Sequence, residues 1–276
     1  VQPTSMLKGF ARLSPSCIFT LFGYRDILSA AYSLSQRGSA FIMFDILYTH
    51  PDFIIINKHP NVSVHKDDGD TMLVAEVAKQ SGDAALYLVH RLDKMTSGLL
   101  ILARSSSAAA ALSSLFAQKT IAKFYLAIGS KKPKKKQGWV IGDMERSRRA
   151  AWKLIATKAN PAVTQFFSLP GESGQRLFLC KPHTGKTHQI RVALKSVGSP
   201  ILGDPIYNAN NSADRGYLHA YALVFDYQGA HYSFICDPRQ SQIMGALWHT
   251  AAACAAIDQW QQPWGLTWPT LSSRLD

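Results

Sequence analysis

Cysteine is scarce. Cys17, Cys180, Cys236 and Cys254 lie far apart in 276 residues and form no CxxC pair, which indicates neither a disulfide framework nor a zinc site and fits a reducing compartment. No stretch reaches the roughly 18 to 20 uninterrupted apolar residues that a membrane-spanning helix requires. Acidic residues are also few, 18 against 30 Lys and Arg. His90, His183, His188 and His219 show neither HExxH spacing nor an acidic neighbour with which to bind a metal. The clustered carboxylates of a metal-dependent nuclease are therefore absent, and no metal or other cofactor is expected. The sequence reads as a soluble, cytoplasmic protein.

What is present is a core. With 47% apolar and 17% charged residues the chain can bury one large domain or two small ones, and global disorder is excluded. A formal charge of +12 draws polyanions, so nucleic acid leads as the partner class, ahead of anionic lipid or a basic surface kept for solubility. Residues 1–42 are rich in Ser and poor in acids, and Lys8 and Arg12 precede the short apolar run Cys17 to Phe22. They read as a dispensable leader or extension. The folded domain is placed at residues 43–240, and residues 241–276, with Trp248, Trp260, Trp264 and Trp268 among Pro and Ala, form a tail with no readable structure.

FDILY and FIIINK are two β-branched runs around the turn THPD. TMLVAEVAKQSG has the spacing of a helix ending at Gly82. ALYLV and GLLILAR read as strands on either side of HRLDKMTSG, the second covered on both faces. Residues 107–118 read as a short helix with Leu112, Leu115 and Phe116 on one side. FYLAIGS is a strand, KKPKKKQG an exposed hairpin or loop, and AWKLIAT, AVTQFFSLP, RLFLCKP, YLHAYALVFDY and HYSFICD are further strands. Residues 187–197 read as a helix with Ile190, Leu194 and Val197 inward. Hairpin-linked strands with few helices imply an α+β fold, a mixed and mainly antiparallel sheet with flanking helices.

Chemistry concentrates in two polar segments. HRLDKMTSG sets Asp93 beside Arg91 and Lys94 between two apolar strands. A turn closed by Thr96, Ser97 and Gly98 would hold its carboxylate outward for reaction, although an ordinary Asx turn has the same spacing. KTHQIR opens the helix read at 187–197, where free backbone donors beside Lys186 and His188 suit a phosphate, and Thr187 and Arg191 share a face. A basic amphipathic helix satisfies that pattern too.

HRLDKMTSGLLILA resembles the signature of RluA-type pseudouridine synthases, HRLD followed by two variable positions and TSG. KFYLAIG at 123–129, GKTHQIRVAL at 185–194, GSPILGDPIYN at 198–208 and YLHAYALVF at 217–225 match the same family in the same order, so the resemblance covers about residues 45–238. It implies a fold of two joined sheet halves with the active cleft between them. It also implies an RNA isomerase that needs no metal or redox cofactor and that cleaves C1′–N1 of a uridine and joins C1′ to C5. By position Asp93 is the catalytic aspartate, Tyr125 the ring that packs on the target base, Arg191 the cation that pairs with the aspartate, and Leu218 the apolar pocket residue. Arg91 beside the nucleophile would fill the space left by a flipped base or hold a phosphate.

Two departures stand out. KHPNVSVH at 58–65 replaces the family's KPxGxxVH, shifting the proline to Pro60 and putting Asn61 where glycine is usual. Lys186 stands for the arginine of GRTHQIR, a point charge in place of a bidentate donor. The chain reads as a stand-alone, monomeric catalytic domain, in which Lys131–Lys136 with Arg146, Arg148 and Arg149 supply part of the grip on RNA. The motifs do not say whether that RNA is a tRNA or an rRNA. The rival reading is a non-catalytic RNA-binding or ribosome-assembly protein that keeps the fold.

Overall fold

Two runs that are apolar at nearly every position form neighbouring strands inside the β1 edge of the sheet. β2 (Phe53–Lys58) and β4 (Ser97–Ala103) are buried along their whole length, as strands covered on both faces must be. They pair antiparallel, with Ile55 opposite Ile101. The computed structural model describes residues 43–64, 72–148, 150–210, 212–240 and 244–270. The leader at 1–42, His65 of the KHPNVSVH segment and Arg149 of the basic set lie outside the described residues. Met43–Asp276 forms one compact unit.

The remaining strands are β1 (Phe44–Thr49), β3 (Tyr87–Leu88), β5 (Ala122–Gly129), β6 (Gln137–Arg146), β7 (Trp152–Ile155), β8 (Ala162–Pro170), β9 (Arg176–Pro182), β10 (Leu218–Tyr227) and β11 (Ala230–Ile235). The helices are α1 (Met72–Ser81), α2 (Ser106–Ala117), α3 (Gln189–Ser196) and α4 (Ala251–Gln259). The strands run in the order β1-β2-β4-β10-β5-β9-β8-β6-β7, with β11 on β10 and β3 on β4. The pairing of β4 with β10 is parallel and the other strand pairs of this sheet are antiparallel. The mixed, mainly antiparallel α+β architecture is thus as the strand pattern implies.

Two hydrophobic clusters flank the middle of the sheet. One joins β1, β2 and β4 to Leu73 and Val77 of α1 and Leu112 of α2. The other joins β5, β8 and β9 to Ile190 and Leu194 of α3. Tyr125 on β5 packs against both, so the seam between the halves passes through a predicted site residue.

Three stretches differ from the sequence reading. The strand expected at ALYLV shrinks to two exposed residues, Tyr87 and Leu88, because only Leu102 and Ala103 at the far end of β4 are there to pair with them. The helix expected from 187 starts at Gln189, since His188 takes a left-handed conformation with φ 57°. Residues 244–270 are ordered into α4 and flanking 3-10 turns, and Trp248 and Trp260 are buried in the second cluster. Thr250 caps α4 by accepting from the Ala253 N–H at 3.3 Å, a local signal for the helix start that the sequence did carry.

Candidate active site

HRLDKMTSG leaves β3 and enters β4, and its turn closes on the aspartate itself: the Thr96 N–H donates to the Asp93 carbonyl at 2.9 Å. Below the turn lies Lys58, fully buried at the end of β2. Its ammonium donates to the carbonyls of Val62 at 2.8 Å, His59 at 2.9 Å and Lys94 at 3.3 Å, tying the turn to the preceding loop. Burial and the nearby Arg215 push the Lys58 pKa down to about 7, against the pull of Asp93. Asn61, where the family pattern has glycine, sits at φ 65°, a region that Asn tolerates better than other residues with a Cβ.

The TSG segment has a steric reason. Gly98 lies at φ 104°, and a Cβ there would collide with the backbone of Ala220 on the parallel strand β10. This close approach seats the turn that carries Asp93 against the start of β10. Beside it Arg215 donates to the Ser97 hydroxyl at 2.6 Å, and that hydroxyl lies 2.7 Å from His219 Nδ1. His219 Nε2 faces the Cys236 carbonyl at 2.7 Å. A carbonyl only accepts, so Nε2 carries the proton and the Ser97 hydroxyl donates to Nδ1. Burial and Arg215 push the His219 pKa down to about 3, which keeps the ring neutral.

Asp93 faces Arg191 rather than Arg91 or Lys94. Arg191 Nη1 donates to Asp93 Oδ2 at 2.9 Å, while its Nε and Nη2 donate to the two oxygens of Asp204 at 2.7 and 2.8 Å. The guanidinium, 4% exposed, is thus shared between a carboxylate with no exposure and one left 18% exposed at the cleft. Burial opposes charge on Arg191, and the bonds from Asp204 and Asp93 overcome it, raising its pKa. Asp204 also accepts from the Ile206 and Tyr207 amides at 2.9 and 3.0 Å. It is a fully engaged anchor that aims the remaining Nη1 at Asp93.

His188 approaches from the same side, with Nε2 4.0 Å from Asp93 Oδ2 and Nδ1 3.0 Å from the Tyr207 hydroxyl. That hydroxyl already accepts from the Trp152 N–H at 2.8 Å. Burial lowers the His188 pKa against the pull of Asp93, and Nε2 is the ring nitrogen that faces the aspartate.

Asp93, Arg191, His188, Tyr125 and Leu218 line one cleft of about 490 Å³, together with Arg91, Lys119, Lys123, Thr187 and Lys186. Tyr125 comes from the middle of β5 and Leu218 from the start of β10. Burial and the Asp93 charge push the Tyr125 phenol upward, so it stays protonated at neutral pH. Arg91 is exposed at the rim. The Lys186 ammonium donates to Asn160 at 2.8 Å, and its amide donates to the Gln189 side chain at 3.0 Å, so one of the helix-start donors is already used within the chain.

All seven predicted site residues therefore line the same cleft. The sequence reading passed over Asp204, Lys58, Tyr207 and Arg215. Asp204 was within reach, since GSPILGDPIYN was matched as a motif and contains an acid with no assigned partner. Arg215, in contrast, meets Ser97 across 118 residues, a contact with no local signature. Among the described residues no group of His, Cys, Asp and Glu is placed to hold a metal ion, and no helix is long and apolar enough to cross a membrane.

Residues 52–196 match a sequence model of the family described as RNA pseudouridylate synthase. Over 199 residues, 72% of this chain and 89% of the other, the sequence is 55% identical to an uncharacterized RNA pseudouridine synthase of Haemophilus influenzae. It is 32% identical over 203 residues to ribosomal large subunit pseudouridine synthase D of Zymomonas mobilis, covering 69% of this chain but 63% of that longer one. In fold it is similar to human RNA pseudouridylate synthase domain containing 1, with a TM-score of 0.67 at 22% identity over 82% of this chain and 97% of the other.

Proposed function

Because the chain belongs to the RNA pseudouridylate synthase family, we propose that it isomerises specific uridines to pseudouridine in structured RNA, a tRNA or an rRNA, with Asp93 as the nucleophile. The observation that carries this reading is the Asp93–Arg191–Asp204 arrangement: a carboxylate at the cleft, held at 2.9 Å by a guanidinium that a second, buried carboxylate fixes in place.

The reaction breaks C1′–N1, turns the uracil, joins C1′ to C5, removes the proton from C5 and leaves one on N1, so nothing is gained or lost. A carboxylate serves as nucleophile and leaving group whether it adds to C1′, adds to C6 or assists elimination from the sugar. Arg191 holds it aimed at the cleft. The detached uracil needs a surface that preserves its plane while it turns, and Tyr125 offers a ring for stacking together with a protonated hydroxyl. Leu218 supplies an apolar wall. Arg91 at the rim would occupy the place of the flipped base or hold a phosphate, and Lys186 and His188 would contact the backbone on the α3 side. No metal or redox cofactor enters these steps, and the protein acts as a cytoplasmic monomer.

Loss of the C5 proton gives a direct assay. Total tRNA or rRNA carrying tritium at uridine C5 should release label to water with the wild-type protein and not with Asp93→Asn. Equal release by the two proteins would refute the assignment of the nucleophile, and no release by either would favour a non-catalytic RNA-binding role.

A further inference from the structure

A second cavity, of about 510 Å³, adjoins the catalytic cleft and shares Lys119, Lys123, Pro182 and Thr184 with it. The remaining wall includes Trp139, His183 and Lys181. Among the described residues lining it there is no carboxylate, and three lysines belong to its wall. We infer that this cavity is a subsite for the nucleotide next to the target uridine on the same RNA strand, with the Trp139–His183 pair as a platform for its base and Lys119, Lys123 and Lys181 facing its phosphates. The inference rests on the RNA-isomerase reading above.

The platform is built rather than incidental. Trp139 and His183 stack with centroids 5.1 Å apart and 23° between planes. One carbonyl holds both rings: Pro269 accepts from Trp139 Nε1 at 2.8 Å and from Gln165 Nε2 at 2.8 Å. The Gln165 oxygen then lies 2.6 Å from His183 Nε2. With its NH₂ group committed to Pro269, Gln165 can only accept from His183, so the ring carries a proton on Nε2. Burial, Lys181 and Lys123 all push the His183 pKa downward, consistent with a stacking surface rather than a fourth cation. The Lys181 ammonium sits 5.5 Å from the centre of Trp268 and 5.7 Å from that of Phe124, so the C-terminal segment also helps to place its charge.

Two kinds of group together suit a nucleotide. An aromatic face binds any base, because every base presents a π surface, and ammonium groups beside it meet the backbone. A strand whose target base enters the first cleft passes the shared lysines, and the base next in line meets the platform.

The test uses the full-length Asp93→Asn protein, which binds without turnover, with the Trp139 indole N–H resonance identified by its loss in Trp139→Phe. The probes are uridine 5′-monophosphate and the trinucleotide UpUpU. The trinucleotide is expected to shift the Trp139 indole signal saturably, whereas the mononucleotide shifts signals from the catalytic cleft alone. Trp139→Ala should weaken trinucleotide binding about tenfold, the scale of one stacked base, and leave mononucleotide affinity unchanged. Lys181→Met, which keeps the side-chain length, should weaken the trinucleotide as well, so that the conclusion does not hang on one variant's folding. If the trinucleotide perturbs the catalytic cleft and leaves the indole signal still, the second subsite is overturned while the catalytic reading stands. If neither probe binds, the subsite is overturned too, and the tritium-release assay judges the catalytic reading independently.

Discussion

At the scale of single residues, the two carboxylates on Arg191 should separate function from stability. Asp93→Asn should lower isomerisation at least about a thousandfold yet cost little stability, because Arg191 keeps both bonds to the buried Asp204. Asp204→Ala removes the anchor of a buried guanidinium and should cost about 3–5 kcal/mol in urea unfolding. Equal destabilisation by the two changes would contradict the division of labour. A second prediction concerns histidines. Burial with Lys123, and burial with Arg215, push His90 and His219 to about 3, against about 6.5 in an unfolded chain. Between those values the unfolded chain binds more protons, so the stability from these rings is full above pH 6.5 and is lost as pH falls towards 3. At pH 5 the two together should cost about 4 kcal/mol, and His219→Gln should flatten the slope. A stability constant from pH 7.5 to 5 would remove this account. Asp93, Tyr125 and Arg191 were legible because each sits in a long motif. Lys58 was not: a lysine next to a Pro–Asn loop reads as exposed, and only its three carbonyl acceptors explain its burial.

At the scale of elements, strands with unbroken apolar character were legible throughout, as β2 and β4 are, because burial on both faces leaves no other pattern. ALYLV misled for the complementary reason. Its composition suits a strand, but pairing is set by the neighbour, and Tyr87 and Leu88 remain exposed. Residues 244–270 were illegible because α4 is an alanine-rich helix with weak periodicity, stabilised by tryptophans that lie outside it in the chain. That segment is predicted to be essential to folding. Trp248→Ala should cost about 3–5 kcal/mol, and a chain ending at Gln240 should give no cooperative melting transition. A normal melt of the shortened protein would show that these contacts contribute little. Gly98→Ala is expected to break the β4–β10 approach and abolish activity by displacing the turn that carries Asp93, visible as loss of tritium release together with a lower melting temperature.

At the scale of the whole molecule, a charge of +12 and a cleft rimmed by Arg91, Lys119, Lys123 and Lys186 fit a polyanionic substrate. The exposed side chains of Lys131, Lys132, Lys134, Lys135 and Lys136 add to the same field. Their loop is fixed by its backbone, since the buried Pro133 and the Lys134 amide, bonded to the Val197 carbonyl at 2.8 Å, anchor it beside the end of α3. Composition announced the class of partner but not the address, because lysines read phosphate rather than sequence. The central claim is that this protein makes pseudouridine in cellular RNA through Asp93. The most direct measurement is carbodiimide-based mapping of pseudouridine in total RNA from cells lacking the gene, restored with wild type or with Asp93→Asn. The account predicts at least one tRNA or rRNA site that disappears with the gene and returns only with wild type; a site restored equally by Asp93→Asn, or no site that depends on the gene, would contradict it.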